Sequence, residues 1–210
     1  MDNKYNKLII ILLFVFGIIF TIIGATFAYF SASTNSGGNS INGTSYTFDM
    51  RLDVTSIRSG DLVPTADNLI ATSLAGNYKC VDQRNYGLCS LYRLRFTNNS
   101  SAETMVGYLK TSSTTYTTTN LRYRLYDENY NSVSDIGTVG MTANTMNYFK
   151  SGANNVSVTI PANETKDYYL VIWLHDIGEN QLEDQNKSYT GSITFTSQNG
   201  ATVSSNFITS

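Results

Sequence analysis

Hydrophobic and polar side chains alternate in a series of short segments from residue 46 onwards. Between residues 46 and 55, hydrophobic residues occupy the even positions and polar residues the odd ones. The same alternation occurs in LYRLRFTN (91–98), LRYRLY (121–126) and SYTGSITFTSQ (188–198). A repeat of two residues is typical of a β-strand with one buried face. The pattern therefore predicts a succession of strands.

The segment DYYLVIWL (167–174) differs, because its hydrophobic residues occupy both faces. Such a strand lies at the centre of a sheet that is covered on both sides. Two segments interrupt the succession: TADNLIATSLAGN (65–77) predicts a short helix, and SDIGTVGMTANTMNYFKSGANN (134–155) predicts a long surface excursion. Short strands separated by turn residues are typical of all-β proteins. We therefore predict a single antiparallel β-sandwich, jelly-roll or immunoglobulin-like, over residues 46–210.

A different pattern occupies the N-terminus. Residues 8–28 carry no charge and are almost wholly apolar, whereas Lys4 and Lys7 precede them. Basic residues followed by an apolar stretch are the layout of a secretory signal, and the basic end stays in the cytoplasm. As a helix, the stretch would be about 31 Å long, which is enough to cross a bilayer. Residues 1–28 are therefore either a cleaved signal peptide or a retained membrane helix, and we expect membrane contact only through residues 8–28.

The end of this stretch, GATFAYFSAS, favours cleavage. Ala28 is small enough for the position before the cut, and Thr26 is tolerable two positions earlier. Tyr29 would then become the new N-terminus.

Residues 29–45 form an uncharged segment that is rich in Ser, Asn and Gly, which we call the arm. One interpretation is a flexible spacer. The other is a donor segment, whose backbone pairs with an open sheet edge of a neighbouring subunit while Tyr29 and Phe30 fill pockets there.

The run IIGATFAYFSAST, followed after a polar spacer by SYTFDMRLDV, resembles the TasA/camelysin group of exported bacterial proteins. The resemblance is strongest over residues 17–54 and returns more weakly in VTIPANETKDYYLVIWL and KSYTGSITFTSQ. It implies processing at the G-x-T-x-A-x-F segment by a signal peptidase of the SipW type. It also implies a jelly-roll-like β-sandwich that assembles into extracellular fibres of the biofilm matrix. Some camelysin relatives carry a metallopeptidase label, but the chain has no H-E-x-x-H segment that could form such a zinc site.

Composition and cysteines narrow the choice of partner and compartment. The net charge is −2, and the part after residue 28 has no Lys/Arg run, which argues against binding to nucleic acid or anionic lipid.

Cys80 and Cys89 are close in sequence, and in an exported chain such a pair predicts a disulfide that closes a loop. A metal or redox pair is the weaker alternative, because the spacing is not C-x-x-C and no neighbouring His or Cys could complete a site.

Candidate chemistry is confined to one segment, HDIGENQLEDQN (175–186). His175 is the single histidine, and a structural role at a strand end is favoured over catalysis, so we predict no enzyme. The segment also offers oxygen ligands for calcium, although it lacks the order of an EF-hand loop. These candidate ligands are Asp176, Glu179, Asn180 and Asp184. The alternative is a solvated acidic loop, and we predict no other cofactor.

Taken together, these patterns predict an exported structural protein of a bacterial cell surface or biofilm matrix, self-associating into fibres by donor-strand pairing. The alternative is a secreted or membrane-tethered β-sandwich that acts as an adhesion or ligand-binding module. The chain would be membrane-anchored if the N-terminal helix were retained.

Overall fold

Antiparallel pairing organises the chain into two large sheets. The computed structural model describes residues 48–75 and 79–209. The strands in chain order are β1 Met50–Arg58, β2 Ser90–Asn98, β3 Glu103–Thr114, β4 Leu121–Tyr126, β5 Gly137–Thr138, β6 Met146–Tyr148, β7 Lys150–Ser151, β8 Asn154–Asn155, β9 Ser157–Ile160, β10 Thr165–Leu174, β11 Tyr189–Ser197 and β12 Thr202–Thr209. One α-helix, α1, spans Asp67–Ala75, and a short 3-10 turn spans Leu182–Asp184.

The first sheet has the strand order β1-β2-β10-β4-β5. The second has the order β12-β11-β3-β6, and β9 also pairs with β3. Strands β7 and β8 form a separate two-stranded ribbon. All of these strand pairs are antiparallel. The all-β, antiparallel prediction is therefore confirmed.

Side chains from both sheets share one hydrophobic core. Phe96 of β2 and Phe195 of β11 meet edge to face, with ring centroids 4.8 Å apart. The predicted alternation holds in β2, where Leu94 is buried and its neighbours Arg93 and Arg95 are partly exposed. The alternation of hydrophobic and polar residues therefore predicted the buried face of β2 correctly.

Strand β10 lies between β2 and β4 in the first sheet. Its side chains are buried on both faces, since Ile172 and Trp173 are each 0% exposed. Ile172 faces the shared core, while Trp173 belongs to a second cluster with Ile70 and Leu74 of α1. The predictions of a covered central strand and of a short helix near residue 70 are both confirmed.

The prediction that residues 134–155 form a surface excursion was wrong. The segment contains β5 to β8, and it sends Val139 and Phe149 into the core with 0% and 1% exposure. The Phe149 ring packs against Tyr123 and Phe195. Val139 is flanked by Thr138 and Gly140, and Phe149 by Tyr148 and Lys150, so neither helical nor strand periodicity identifies these two core residues.

None of the helices in the described ranges is long and apolar enough to span a membrane. The predicted signal or membrane helix at residues 8–28 lies outside the described residues.

The core leaves no room for a side chain at Gly107 of β3. A Cβ atom there would lie 2.4 Å from Cε1 and 2.8 Å from Cδ1 of the Phe195 ring. Because an ordinary van der Waals contact is longer, the ring or the strand would have to move.

We therefore expect Gly107→Ala to lower the free energy of unfolding by about 1–3 kcal/mol, as measured by urea denaturation. Ser192→Ala, on the outward face of the neighbouring strand β11, is the control and should change the stability little. An unchanged urea midpoint for Gly107→Ala would contradict this packing.

Candidate functional site

The longest edge strands of the two sheets lie on the same side of the molecule. Strand β1 ends the first sheet and β12 ends the second. Their Cα atoms approach within 8 Å, yet no ladder joins them. At the opposite ends, the first sheet finishes in β5, of 2 residues, and the second in β6 and β9, of 3 and 4 residues. This side therefore presents two long strands that have one ladder each among the described strands.

Strand β1 carries the features that protect an edge from further pairing. It contains Arg51, Asp53 and Arg58, and Arg51 pairs with Asp53 at 2.7 Å. Its register with β2 shifts between Ser56 and Arg58. Charged side chains and irregular register discourage a further strand from adding to an edge.

Strand β12 lacks such protection. Its sequence, TVSSNFIT, contains no charged residue and no proline. Its register with β11 runs unbroken from Thr202 to Thr209. Val203 and Phe207 anchor it in the core, and the Phe207 ring lies 5.2 Å from that of Tyr92. A regular, uncharged edge of this kind can accept another strand through backbone hydrogen bonds.

The predicted arm lies outside the described residues, as do Thr26, Ala28, Tyr29 and Phe30. The described chain begins at Phe48, and β1 begins at Met50. In sequence, the arm therefore leads almost directly into an edge strand. Cleavage and donor pairing stay predictions.

The predicted disulfide is confirmed. Cys80 and Cys89 are bonded, with their Cα atoms 4.9 Å apart, and both are fully buried. They pack with Leu91, Val171 and Trp173 on the outward face of the first sheet. The bond therefore fastens a loop beside α1, which is a structural role.

Asp67, the first residue of α1, connects the helix to the first sheet. Its Oδ1 accepts a hydrogen bond of 2.9 Å from Nε1 of Trp173, and its Oδ2 accepts one from the guanidinium of Arg122. Nδ1 of His175 lies 2.8 Å from Oδ1, within ion-pair distance, but without hydrogen-bond geometry. His175 thus sits at the end of β10 beside a structural carboxylate, which agrees with the role predicted for it.

The four candidate calcium ligands line one cleft of about 460 Å³. Asp176 and Asn180 are exposed, and each accepts a hydrogen bond from a nearby backbone N–H, of Gly178 at 2.8 Å and Leu182 at 3.1 Å. Within the described ranges, no group of three or more His, Cys, Asp or Glu side chains is close enough to hold a metal ion. The calcium site therefore stays a prediction.

Asp184 is 4% exposed and is held by side chains of the protein itself. It accepts hydrogen bonds from Thr118 at 2.5 Å, Asn120 at 2.8 Å and Gln181 at 3.1 Å. Burial alone would raise the pKa of this carboxyl, but the hydrogen bonds from Asn120, Thr118 and Gln181 outweigh it, so the pKa lies below its usual value of 3.8. The carboxylate thus ties the acidic loop to the segment between β3 and β4.

No protein family model and no curated protein matches the chain. Solved structures with some similarity include the sporulation control protein Spo0M of Bacillus subtilis, at 8% identity and a TM-score of 0.35. That alignment covers 76% of this chain and 48% of Spo0M, so the chain spans about half the length of that protein. Another is a chain of the archaellum periplasmic stator complex of FlaF and FlaG from Sulfolobus acidocaldarius, at 14% identity and a TM-score of 0.24. That alignment covers 81% of this chain and 99% of the stator chain. Similarities with TM-scores this low do not indicate a shared fold or a shared function.

The lowered pKa of Asp184 predicts a pH dependence of stability. A carboxyl whose pKa is lower in the folded protein stabilises the fold above its unfolded pKa, and this contribution is lost as the pH falls through the folded pKa. We expect the free energy of unfolding to fall less steeply in Asp184→Asn than in the parent between about pH 5 and about pH 2.

Chemical denaturation at several pH values measures this dependence. Glu183→Gln removes an exposed carboxyl from the same turn and is the matched control, expected to follow the parent. Identical slopes for Asp184→Asn and the parent would contradict the assignment.

Proposed function

We propose that the chain is an exported β-sandwich protein of a bacterial cell surface or biofilm matrix, of TasA/camelysin-like type, and that it forms extracellular fibres by donor-strand pairing. The observation that carries the proposal is β12, a long, regular edge strand without charge or proline. Natural sheets usually protect such edges, so an unprotected one marks a surface that pairs with another strand.

The arm has the composition and the length to be that strand. Residues 29–45 are uncharged, like β12 itself. Fully extended at roughly 3.3 Å per residue, they would reach about 55 Å, about twice the length of β12. The arm therefore has enough chain both to bridge to a neighbour and to pair along its whole edge.

Donor and acceptor would be different segments of the chain. The arm precedes β1 of the first sheet in sequence, while the acceptor edge is β12 of the second. A contact between two different surfaces is heterologous, and when the rotation does not close it produces a filament. Repeated arm-to-β12 contacts would therefore build an open fibre.

The compartment follows from the disulfide and the N-terminal segment. The Cys80–Cys89 bond indicates an oxidising setting such as the cell exterior. A SipW-type signal peptidase would cut after Ala28 and free Tyr29 as the start of the arm. Retention of residues 8–28 would instead leave the protein anchored in the membrane. We propose no enzymatic activity.

Assembly can be tested on the protein that begins at Tyr29, because the described residues of both hydrophobic clusters lie between Phe48 and Phe207. We expect ordered filaments by negative-stain electron microscopy after concentration, and sedimentable polymer. Deletion of residues 29–42 should abolish both while leaving the circular dichroism spectrum unchanged. Filaments that persist after the deletion would contradict the donor-arm mechanism. A stable monomer of the undeleted protein would instead favour the binding-module alternative.

The acceptor edge can be tested separately. Ser204 is an exposed residue of β12, and a lysine on an edge strand discourages pairing. We expect Ser204→Lys to raise the critical concentration for assembly by about tenfold or more. Thr55→Lys, at an exposed position of β1, is the matched control and should assemble like the parent. Equal effects of the two substitutions would show that β12 is not the acceptor.

A further inference from the structure

A shallow groove of about 300 Å³ lies on the second sheet. Residues from four strands line it, together with the turn that follows β11. They include Val106 and Tyr108 of β3, Tyr148 of β6, Ser157 of β9, Thr196 of β11, and Gln198. The groove faces outward, because Val106, Tyr108 and Thr196 alternate with core residues along their strands.

Two tyrosine rings form one wall of this groove. Tyr108 and Tyr148 are cross-strand partners, and their ring centroids lie 5.1 Å apart with the planes inclined by 51°. Both rings are partly exposed. Partly exposed aromatic rings offer a flat apolar surface beside a polar hydroxyl.

Apart from Val106, the other residues that line the groove are polar, and none of the lining residues is charged. Ser157, Thr196 and Gln198 supply hydroxyl and amide groups that both donate and accept hydrogen bonds. Ser197 also borders the groove, but its side chain alternates with that of Thr196 and lies with Phe195 on the core-facing side of β11. Its hydroxyl is therefore not among the groups offered to a ligand.

The backbone under the groove is already satisfied, which narrows the class of ligand. Strand β3 pairs with β11 on one side and with β9 and β6 on the other. An extended peptide could therefore not pair with β3 here through main-chain hydrogen bonds. Recognition must come from the side chains, through ring stacking and through hydroxyl and amide groups.

We propose that this groove binds a neutral polysaccharide. The apolar faces of sugar rings pack against Tyr108 and Tyr148, and sugar hydroxyls bond to the Ser, Thr and Gln side chains. Charge complementarity favours a neutral chain, because a carboxylate or phosphate would meet no cation among the lining residues. Lys110, the next residue in the outward-facing row of β3, lies beyond Tyr108 and does not line the groove.

This proposal does not depend on fibre formation, since the groove would use side chains on the outward face of the sheet, whereas donor pairing would use the backbone edge of β12. Both the protein that begins at Tyr29 and its Ser204→Lys variant should bind alike. Failure of assembly would therefore leave sugar binding unaffected, and failure of sugar binding would leave assembly unaffected.

Affinity electrophoresis in native gels tests the proposal, with hydroxyethyl cellulose, β-1,3-glucan and dextran as neutral probes and alginate as an acidic probe. We expect at least one neutral polysaccharide to retard the protein. Tyr148→Ala should weaken that binding by roughly five- to tenfold, whereas Tyr148→Phe, which keeps the ring, should retain most of it. Tyr86→Ala is the matched control, because Tyr86 is 56% exposed in the disulfide loop and lies outside the groove.

Thermal melting should confirm that all three variants remain folded. The proposal is overturned if no neutral probe retards the protein, if alginate alone does so, or if Tyr148→Ala and Tyr86→Ala bind equally well.

Discussion

Every open β-sheet ends in two strands whose outer N–H and C=O groups lack a partner in the ladder, and this constraint governs the surface of the protein. The two sheets solve the problem in different ways. The far ends taper into the short strands β5 and β6. Strand β1 is protected by Arg51, Asp53 and a register shift. Among the described strands, β12 is the long edge strand without these devices, so its edge is the one best suited to pair with a further strand.

The outward faces of the two sheets also differ, and each face is suited to a different task. On the first sheet, α1 and the disulfide loop cover a second hydrophobic cluster around Trp173, and Asp67 fastens the helix to Arg122 and Trp173. The outward face of the first sheet is therefore buried beneath these elements around Trp173. The second sheet has no such cover in the described part of the chain, and its outward side chains are largely Thr, Ser and Tyr. Backbone pairing at an edge and side-chain recognition on a face can therefore operate on the same sheet without competing.

The sequence predicts most of the architecture where a pattern extends over several residues. Strict alternation located the core faces of β2 and β4, and hydrophobic residues on both faces identified β10 as central. The close spacing of Cys80 and Cys89 in the sequence predicted the disulfide between them. Prediction failed where single residues act alone. Val139 and Phe149 enter the core from a Gly- and Asn-rich segment, and in β12 only Val203 and Phe207 mark the buried face. The contacts of Asp67 depend on the register that places Trp173 opposite Arg122, and no local pattern reveals register between strands distant in sequence. Asp184 was named as a candidate calcium ligand from its place in an acidic segment, and no pattern in the sequence indicated that it is buried and accepts hydrogen bonds from three side chains of the protein.

Hydrogen–deuterium exchange in the assembled and the monomeric protein tests the central claim most directly, because backbone amides are the groups that donor-strand pairing would satisfy. The account predicts that amides of Thr202–Thr209 and of the arm become protected on assembly, while those of Met50–Arg58 exchange as in the monomer. Protection of β1 with unchanged exchange in β12, or no new backbone protection at all in the polymer, would contradict it.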